Sequence, residues 1–305
     1  MNIKVVFYFY VAWIILIPPI ESLASFKMKP EFYITDEEKC IIELLRSLYD
    51  KNNMSPQDIL SKNMSSKCSI IRSATIKSLL HDNPGGMRLA IIKKGLMDPD
   101  EEIRAHSALI VDLLATAREL KEYSKNSDVT GILLEMLDNP SARIVVSAVN
   151  ALDGLEYRGA LPRIIKLLEH DSADVREWSL EYIQHNDDKK EAEEAVIKCL
   201  KDKDSRVQRT AIIALNNYPS LRVENELHSV MDASQDVLVM IEAALTLFYL
   251  SDDPKPEYIY QRFLNFDYKS KSEACTVVSM LSGQPQTETS KMLWDRISKL
   301  YGKCN

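Results

Sequence analysis

The chain has 305 residues, of which 46% are apolar and 27% charged, the composition of a core-forming folded protein rather than a disordered one. Only 8 glycines occur, far fewer than the roughly 7% of an average protein, which argues against Gly-rich phosphate loops and against many tight β-hairpins. A formal charge of −7, from 45 acidic and 38 basic residues, opposes any nucleic-acid role resting on bulk electrostatics.

Residues 1–4 carry one positive charge, and residues 5–17 follow as an unbroken apolar run, VVFYFYVAWIILI. Pro18 and Pro19 end any helix there, and Ser22 and Ala24 supply small residues for a cleavage site. This is the tripartite form of a secretory signal peptide over residues 1–24, cut after Ala24. The rival reading is an uncleaved anchor, but the run is short of the ~20 residues needed to span a bilayer. No stable membrane insertion is expected once the peptide is removed, so the mature chain is expected to be secreted or periplasmic. Residues 25–66 are expected to form an N-terminal helical cap.

Five segments then superpose without gaps: LMDPDEEIRAHSALIV from Leu96, LDNPSARIVVSAVNAL from Leu137, LEHDSADVREWSLEYI from Leu168, LKDKDSRVQRTAIIAL from Leu200 and VMDASQDVLVMIEAAL from Val230. Seven residues after each lead comes Ile103, Ile144, Val175, Val207 or Val237. Four further on stand Ser107, Ala148, Ser179, Ala211 and Ile241, and four more bring Val111, Leu152, Ile183, Leu215 and Leu245. A weaker copy runs through Ile71, Thr75 and Leu79, and a degenerate one through Phe263, Ala274 and Val278. Apolar residues at i, i+4 and i+8 mark one helix face, and a small middle residue lets a neighbouring helix come close. Between these helices lie further amphipathic stretches, such as LPRIIKLL at 161–168 and EEAVIKCL at 193–200. Each unit is therefore a helical hairpin, and hairpins that cannot bury their own stripe must stack.

Asp98, Asn139, His170, Asp202 and Asp232 share one column, two residues after the lead. Asp100, Ser141, Ser172, Asp204 and Ser234 come two residues later and are placed to cap the following helix. With these residues in view, the L-x-D-x-x-x-x-V-R-x-x-A-x-x-A-L pattern resembles HEAT repeats, especially the short type of bilin-lyase-like proteins. The likeness is carried by Leu96, Asp98, Ile103 and Arg104, and by Leu200, Asp202, Val207, Ala211 and Leu215. It implies an all-α fold, an α-solenoid (superhelix) of about seven stacked antiparallel helical hairpins, with the repeat array over residues 67–283 and a capping helix and tail over 284–305. It also implies bonds between the Asp and Arg columns of neighbouring units. Only Arg72, Arg104 and Arg176 fill the Arg column, while Val145, Gln208 and Leu238 depart from it, so an incomplete ladder is expected. One step between units is about ten residues too long. The excess is read as a helix extended to Glu122 and a loop over 123–128, either a contact site or a tolerated surface extension.

The cysteines Cys40, Cys68, Cys199, Cys275 and Cys304 contain no C-x-x-C pair, so zinc and thioredoxin-like chemistry are unsupported. In an exported chain, Cys40–Cys68 and Cys275–Cys304 are the expected disulfides, with Cys199 a buried free thiol. Asn53 and Asn63 begin acceptor sequons that matter only in a eukaryotic source. Phosphate-loop, Rossmann, zincin and nucleophile-elbow motifs do not occur. No catalytic residue, cofactor or metal is therefore assigned. His81 and His170 read as helix-end hydrogen-bonding groups.

Two residues before each lead stand Lys94, Glu135, Lys166, Lys198 and His228. This column avoids the apolar face and forms a row along the stack, on helices that in HEAT proteins usually line the concave side. It is either a solvated face that keeps the array soluble or a seat for an acidic segment of a partner protein. Together these features read as an exported, non-enzymatic scaffold or adaptor, with no nucleic-acid partner. The alternative is an enzyme or enzyme-accessory subunit, lyase-like, built on the same repeats.

Overall fold

The computed structural model describes Cys40 and residues 56–79, 87–116, 127–187 and 190–304. The chain divides into a unit of Met1–Asn52, where only Cys40 is described, and a unit of Asn53–Asn305 that holds the elements below. The expected signal peptide lies outside the described residues, as does most of the long step between the second and third units.

The described residues form helices and connecting turns, without strands. In chain order the helices are α1 (Pro56–Asn63), α2 (Ser69–Ser78), α3 (Met87–Leu96), α4 (Glu101–Thr116), α5 (Ser127–Met136), α6 (Ala142–Gly154), α7 (Leu161–Leu167) and α8 (Ala173–Asn186). They continue with α9 (Glu193–Cys199), α10 (Ser205–Ala214), α11 (Leu221–Ala233), α12 (Val237–Leu250), α13 (Pro256–Leu264), α14 (Lys271–Leu281) and α15 (Glu288–Tyr301).

From α1/α2 to α11/α12, each odd helix packs against the even helix after it as a hairpin. Every even helix from α2 to α12 also packs on the even helix of the next unit, which makes one continuous layer ending in α14. The odd helices α3 and α5 pack on each other, as do α11 and α13. The short helices in between are joined through long side chains: Arg163 on α7 donates to the Leu134 carbonyl of α5 at 2.7 Å, and Arg222 on α11 reaches Glu194 on α9 at 2.5 Å. The architecture is thus the expected α-solenoid. At its end α15 lies against both α13 and α14.

The three repeat columns supply the core. Ile103, Ile144, Val175, Val207 and Val237 are all buried, and Ser107, Ala148, Ser179, Ala211 and Ile241 are buried beside them. Each buried aliphatic side chain contributes about 1.5–3 kcal/mol. The small middle column does allow close approach. A Cβ on Gly95 of α3 would stand 2.2 Å from the Ser107 hydroxyl of α4 and 2.6 Å from Ile76 of α2. In α11 the register slips by one. Met231 is fully buried while the aligned lead, Val230, is only half-buried.

The long step resolves differently from expectation at its far end. Residues 127 and 128, read as loop from the sequence, open α5. Ser and Asp are favoured at helix starts, and Asp128 places its charge in the first turn.

Candidate partner-binding site

Each unit closes on a turn between an odd and an even helix, and this turn organises the surface. Asp98, Asn139, His170 and Asp202 each accept the N–H of the residue two positions on: Asp100 at 2.9 Å, Ser141 at 3.0 Å, Ser172 at 3.0 Å and Asp204 at 2.9 Å. His170 is therefore a turn residue with its Nδ1 occupied. Asp100 and Asp204 go on to cap the next helix through Glu102 and Arg206, both at 2.9 Å. Ser141 and Ser172 stand at helix starts but make no side-chain cap. Ser141 instead donates to Glu101 at 2.5 Å.

The sixth unit departs from the column. α11 runs on to Ala233, so the N-cap of α12 is Asp236, which accepts from Leu238 and Val239 at 2.8 and 3.3 Å, and not Ser234. Asp232 is freed from turn duty and accepts the Tyr258 hydroxyl at 2.6 Å, beside Arg262 at 3.3 Å. No proline stops α11 as Pro99 and Pro140 stop the helices before them.

The Arg column bonds between units where an Asp faces it. Arg72 forks onto Asp98 at 2.7 and 2.9 Å, and Arg176 forks onto Asp202 at 2.7 Å for both bonds. Their spare nitrogens bind turn carbonyls: Arg72 that of Ser66, and Arg176 those of His170 and Asp171. Burial raises the Asp98 and Asp202 carboxyls, but the arginine bonds and a backbone N–H outweigh it and hold both below the ordinary carboxylate value. Arg104 meets no Asp; it binds the Asp98 and Pro99 carbonyls of its own turn. The ladder is incomplete, as expected, and has one rung fewer than the Arg column offers, because the next unit carries Asn139 where Arg104 would need an Asp.

The row of candidate residues is distributed one to a helix. Lys94 (α3), Glu135 (α5), Lys166 (α7) and Lys198 (α9) are exposed near the C-terminal ends of successive odd helices. Lys94 reaches the Ser61 hydroxyl at 3.5 Å, and no bond joins one member of the row to another. His228 on α11 differs. It is half-buried, edge-on to the Tyr258 ring at 5.1 Å, and so takes part in packing between units. Burial, and then Lys255, lower its pKa. Burial and the Asp232 bond push Tyr258 up to about 12.

Two features of this surface carry no motif. Arg262 donates to the Met231 and Asp232 carbonyls, and Arg296 to those of Leu264 and Phe266, so arginines cap the carbonyl ends of α11 and α13 from the next odd helix. They occupy no fixed column, so the alignment of units cannot reveal them. The second feature is a set of grooves along the edge where the even helices begin. One of about 620 Å³ includes Lys67, Lys94 and Met97; others of about 430 and 570 Å³ lie further along.

Cys275 and Cys304 form a disulfide with Cα atoms 5.3 Å apart, which ties the tail after α15 to α14. Cys40 and Cys68 are both disulfide-bonded. Cys199 is a buried free thiol whose pKa burial pushes up to about 11. Among the described residues no helix is long and apolar enough to cross a membrane, and no group of three His, Cys, Asp or Glu side chains could hold a metal ion.

Stacked hairpins sharing one continuous even layer define the class: an α-solenoid repeat protein. Residues 161–247, from α7 into α12 and including the unit led by Leu200, match the family model for HEAT repeats. Among solved structures, YibA of Escherichia coli is similar at 17% identity and a TM-score of 0.51, over 84% of this chain and 97% of that one, and shows the same fold. A phycocyanin lyase complex of CpcE and CpcF from Nostoc sp. PCC7120 is similar at 16% identity and a TM-score of 0.46, over 82% and 96%. A designed armadillo repeat protein in complex with the peptide (KR)4 is similar at 18% and 0.46, over 68% and 98%. No curated protein matches the sequence.

Proposed function

We propose that the chain is an exported, non-enzymatic scaffold that binds a partner protein along its odd helices. The observation that carries this reading is the row itself. Lys94, Glu135, Lys166 and Lys198 recur at one position on four successive odd helices, exposed, with no structural bond among the described residues beyond the long contact of Lys94 to Ser61. A stack of units repeats the same surface position at regular intervals, which suits an extended partner better than a small molecule. The signal-like N-terminus and the oxidised cysteines support an oxidising compartment.

The chain without residues 1–24, used as bait in the extracytoplasmic fraction, should retain one reproducible protein. Charge reversal in the triple variant K94E/K166E/K198E should release it. Undiminished capture by that variant removes the row from the interface.

A further inference from the structure

The groove of about 620 Å³ lies between the α1/α2 and α3/α4 hairpins, at the first Arg–Asp fork. Lys67, Arg72 and Lys94 line it against one carboxylate, that of Asp98. Asp98 takes both bonds of the Arg72 fork, so those two charges offset each other and two ammonium groups are left over. Both lysines are exposed. Lys67 makes no bond to the described residues, and Lys94 makes only its 3.5 Å contact with the neutral Ser61 hydroxyl. Just outside the lining, Asp100 and Arg104 flank the same turn with opposite charges. The excess has a local cause. Asp98 and Asp202 accept the i+2 N–H of their turns with a carboxylate, whereas Ser66 accepts that of Cys68 with a hydroxyl, at 3.0 Å.

The same groove has an apolar side. Met97 is 70% exposed, and Pro99 is exposed beside it. The second fork, Arg176 onto Asp202, shows that neither feature comes with the fork itself. Counted from the leads Met64 and Leu96 in one pair of units, and Leu168 and Leu200 in the other, Ser65 corresponds to Glu169, Lys67 to Asp171 and Met97 to Lys201. The second fork thus has acids beside its lysines and no methionine. The first offers two cations beside an uncovered apolar side chain, on a chain of net charge −7.

We propose that this groove seats a short acidic segment of a partner protein, with carboxylates on Lys67 and Lys94 and an apolar side chain on Met97 and Pro99. A small inorganic anion would meet the ammonium groups but leave Met97 in water. One inter-unit step of about 8–10 Å is crossed by about three extended residues at ~3.3 Å apiece, so a pentapeptide is long enough to test. The proposal rests on the scaffold reading in taking a protein as the ligand and Lys94 as part of the interface. It adds the chemistry of the segment that the first units receive.

Fluorescence anisotropy of the labelled peptide EELEE with the chain lacking residues 1–24 tests it. EELEE should bind, KKLKK should not, and EESEE should bind at least about threefold more weakly for want of the apolar contact. Raising the salt from about 50 to about 300 mM should weaken binding. The variant K67D/M97K, which carries the residues of the second fork, should weaken it at least about fivefold. The variant K166E/K198E, which alters the row beyond the groove, should change it by no more than about twofold. Helical circular dichroism should be unchanged, and K67Q/M97Q stands in should K67D/M97K misfold. Absence of EELEE binding, equal binding of KKLKK or EESEE, or undiminished binding by both groove variants overturns the proposal. So does dimerisation on a sizing column that K67D/M97K abolishes without any peptide binding, which would give the groove to a second copy of the chain. If K94E/K166E/K198E releases the captured partner while EELEE finds no seat, the groove falls and the scaffold reading stands. If EELEE binds and K67D/M97K weakens it while the row variant retains the partner, the groove stands and the row falls.

Discussion

Arg176 holds its place with four bonds at once: two to Asp202 in the next unit and two to carbonyls of its own turn. Both partners are nearly closed to water, at 6% and 10% side-chain exposure. In such a site the loss of one partner costs more than the pair contributes, because the remaining charge is stranded. Arg176→Met should therefore lower unfolding free energy by about 3 kcal/mol near neutral pH, measured by urea denaturation. The pH dependence has a definite sign. The folded carboxyl of Asp202 lies below its ordinary value, so the unfolded state binds the proton first and clamp stability is lost as the pH falls through the folded value. In the variant the same carboxyl loses its arginine and its pKa rises. The gap between variant and wild type should thus narrow as the solution is acidified. A constant gap down to acid unfolding would show that the clamp carries no electrostatic weight. The Arg and Asp columns were legible in the sequence because both partners sit at fixed repeat positions. The carbonyl-capping arginines Arg262 and Arg296 were not, since their acceptors are backbone atoms with no signature in any side chain.

Helix starts show what a repeat alignment can and cannot specify. Asp98, Asn139, His170 and Asp202 are chemically different yet accept the same i+2 N–H. What the column shares is hydrogen-bond acceptance, not charge. In the sixth unit the aligned residue, Asp232, is an acid that does other work, because α11 continues for three residues beyond the lead. Alignment fixes spacing between apolar faces, whereas the end of a helix depends on local stops, and the stretch VMDASQD has no proline or glycine. The cap of α12 can be assigned by substitution. Asp236→Ala removes the acceptor for two orphan N–H groups and should cost about 1 kcal/mol. Asp232→Ala breaks the bond from Tyr258 and the solvent-exposed pairing with Arg262, leaves no helix N–H without its acceptor, and should cost less. Thermal or urea midpoints of the two variants give the order directly. Equal losses would return Asp232 to the capping column.

A stack of units whose contacts are mainly with neighbours has to be closed where the neighbours run out. Here the closure is α15, which buries Leu293 and Ile297 against α13 and α14 while Lys291, Asp295 and Lys299 face solvent. Trp294 meets Tyr260 edge-on at 6.0 Å, and Tyr301 donates to the Tyr268 carbonyl at 2.9 Å. The Cys275–Cys304 bond then encloses α15 in a covalent loop with 29 residues of sequence separation. A loop of that length restricts the unfolded chain by about 3.6 kcal/mol in the chain-entropy account. In a compact globule that change would be shared by the whole core. In a linear array it stays near the end, because stability is close to a sum of unit and interface contributions. Cys275→Ser/Cys304→Ser should therefore speed amide hydrogen exchange in α13, α14 and α15, with α6, α8 and α10 at nearly wild-type protection. Uniform acceleration from α2 to α15 would mean that the units unfold as one cooperative body, and the nearest-neighbour description of this solenoid would fail.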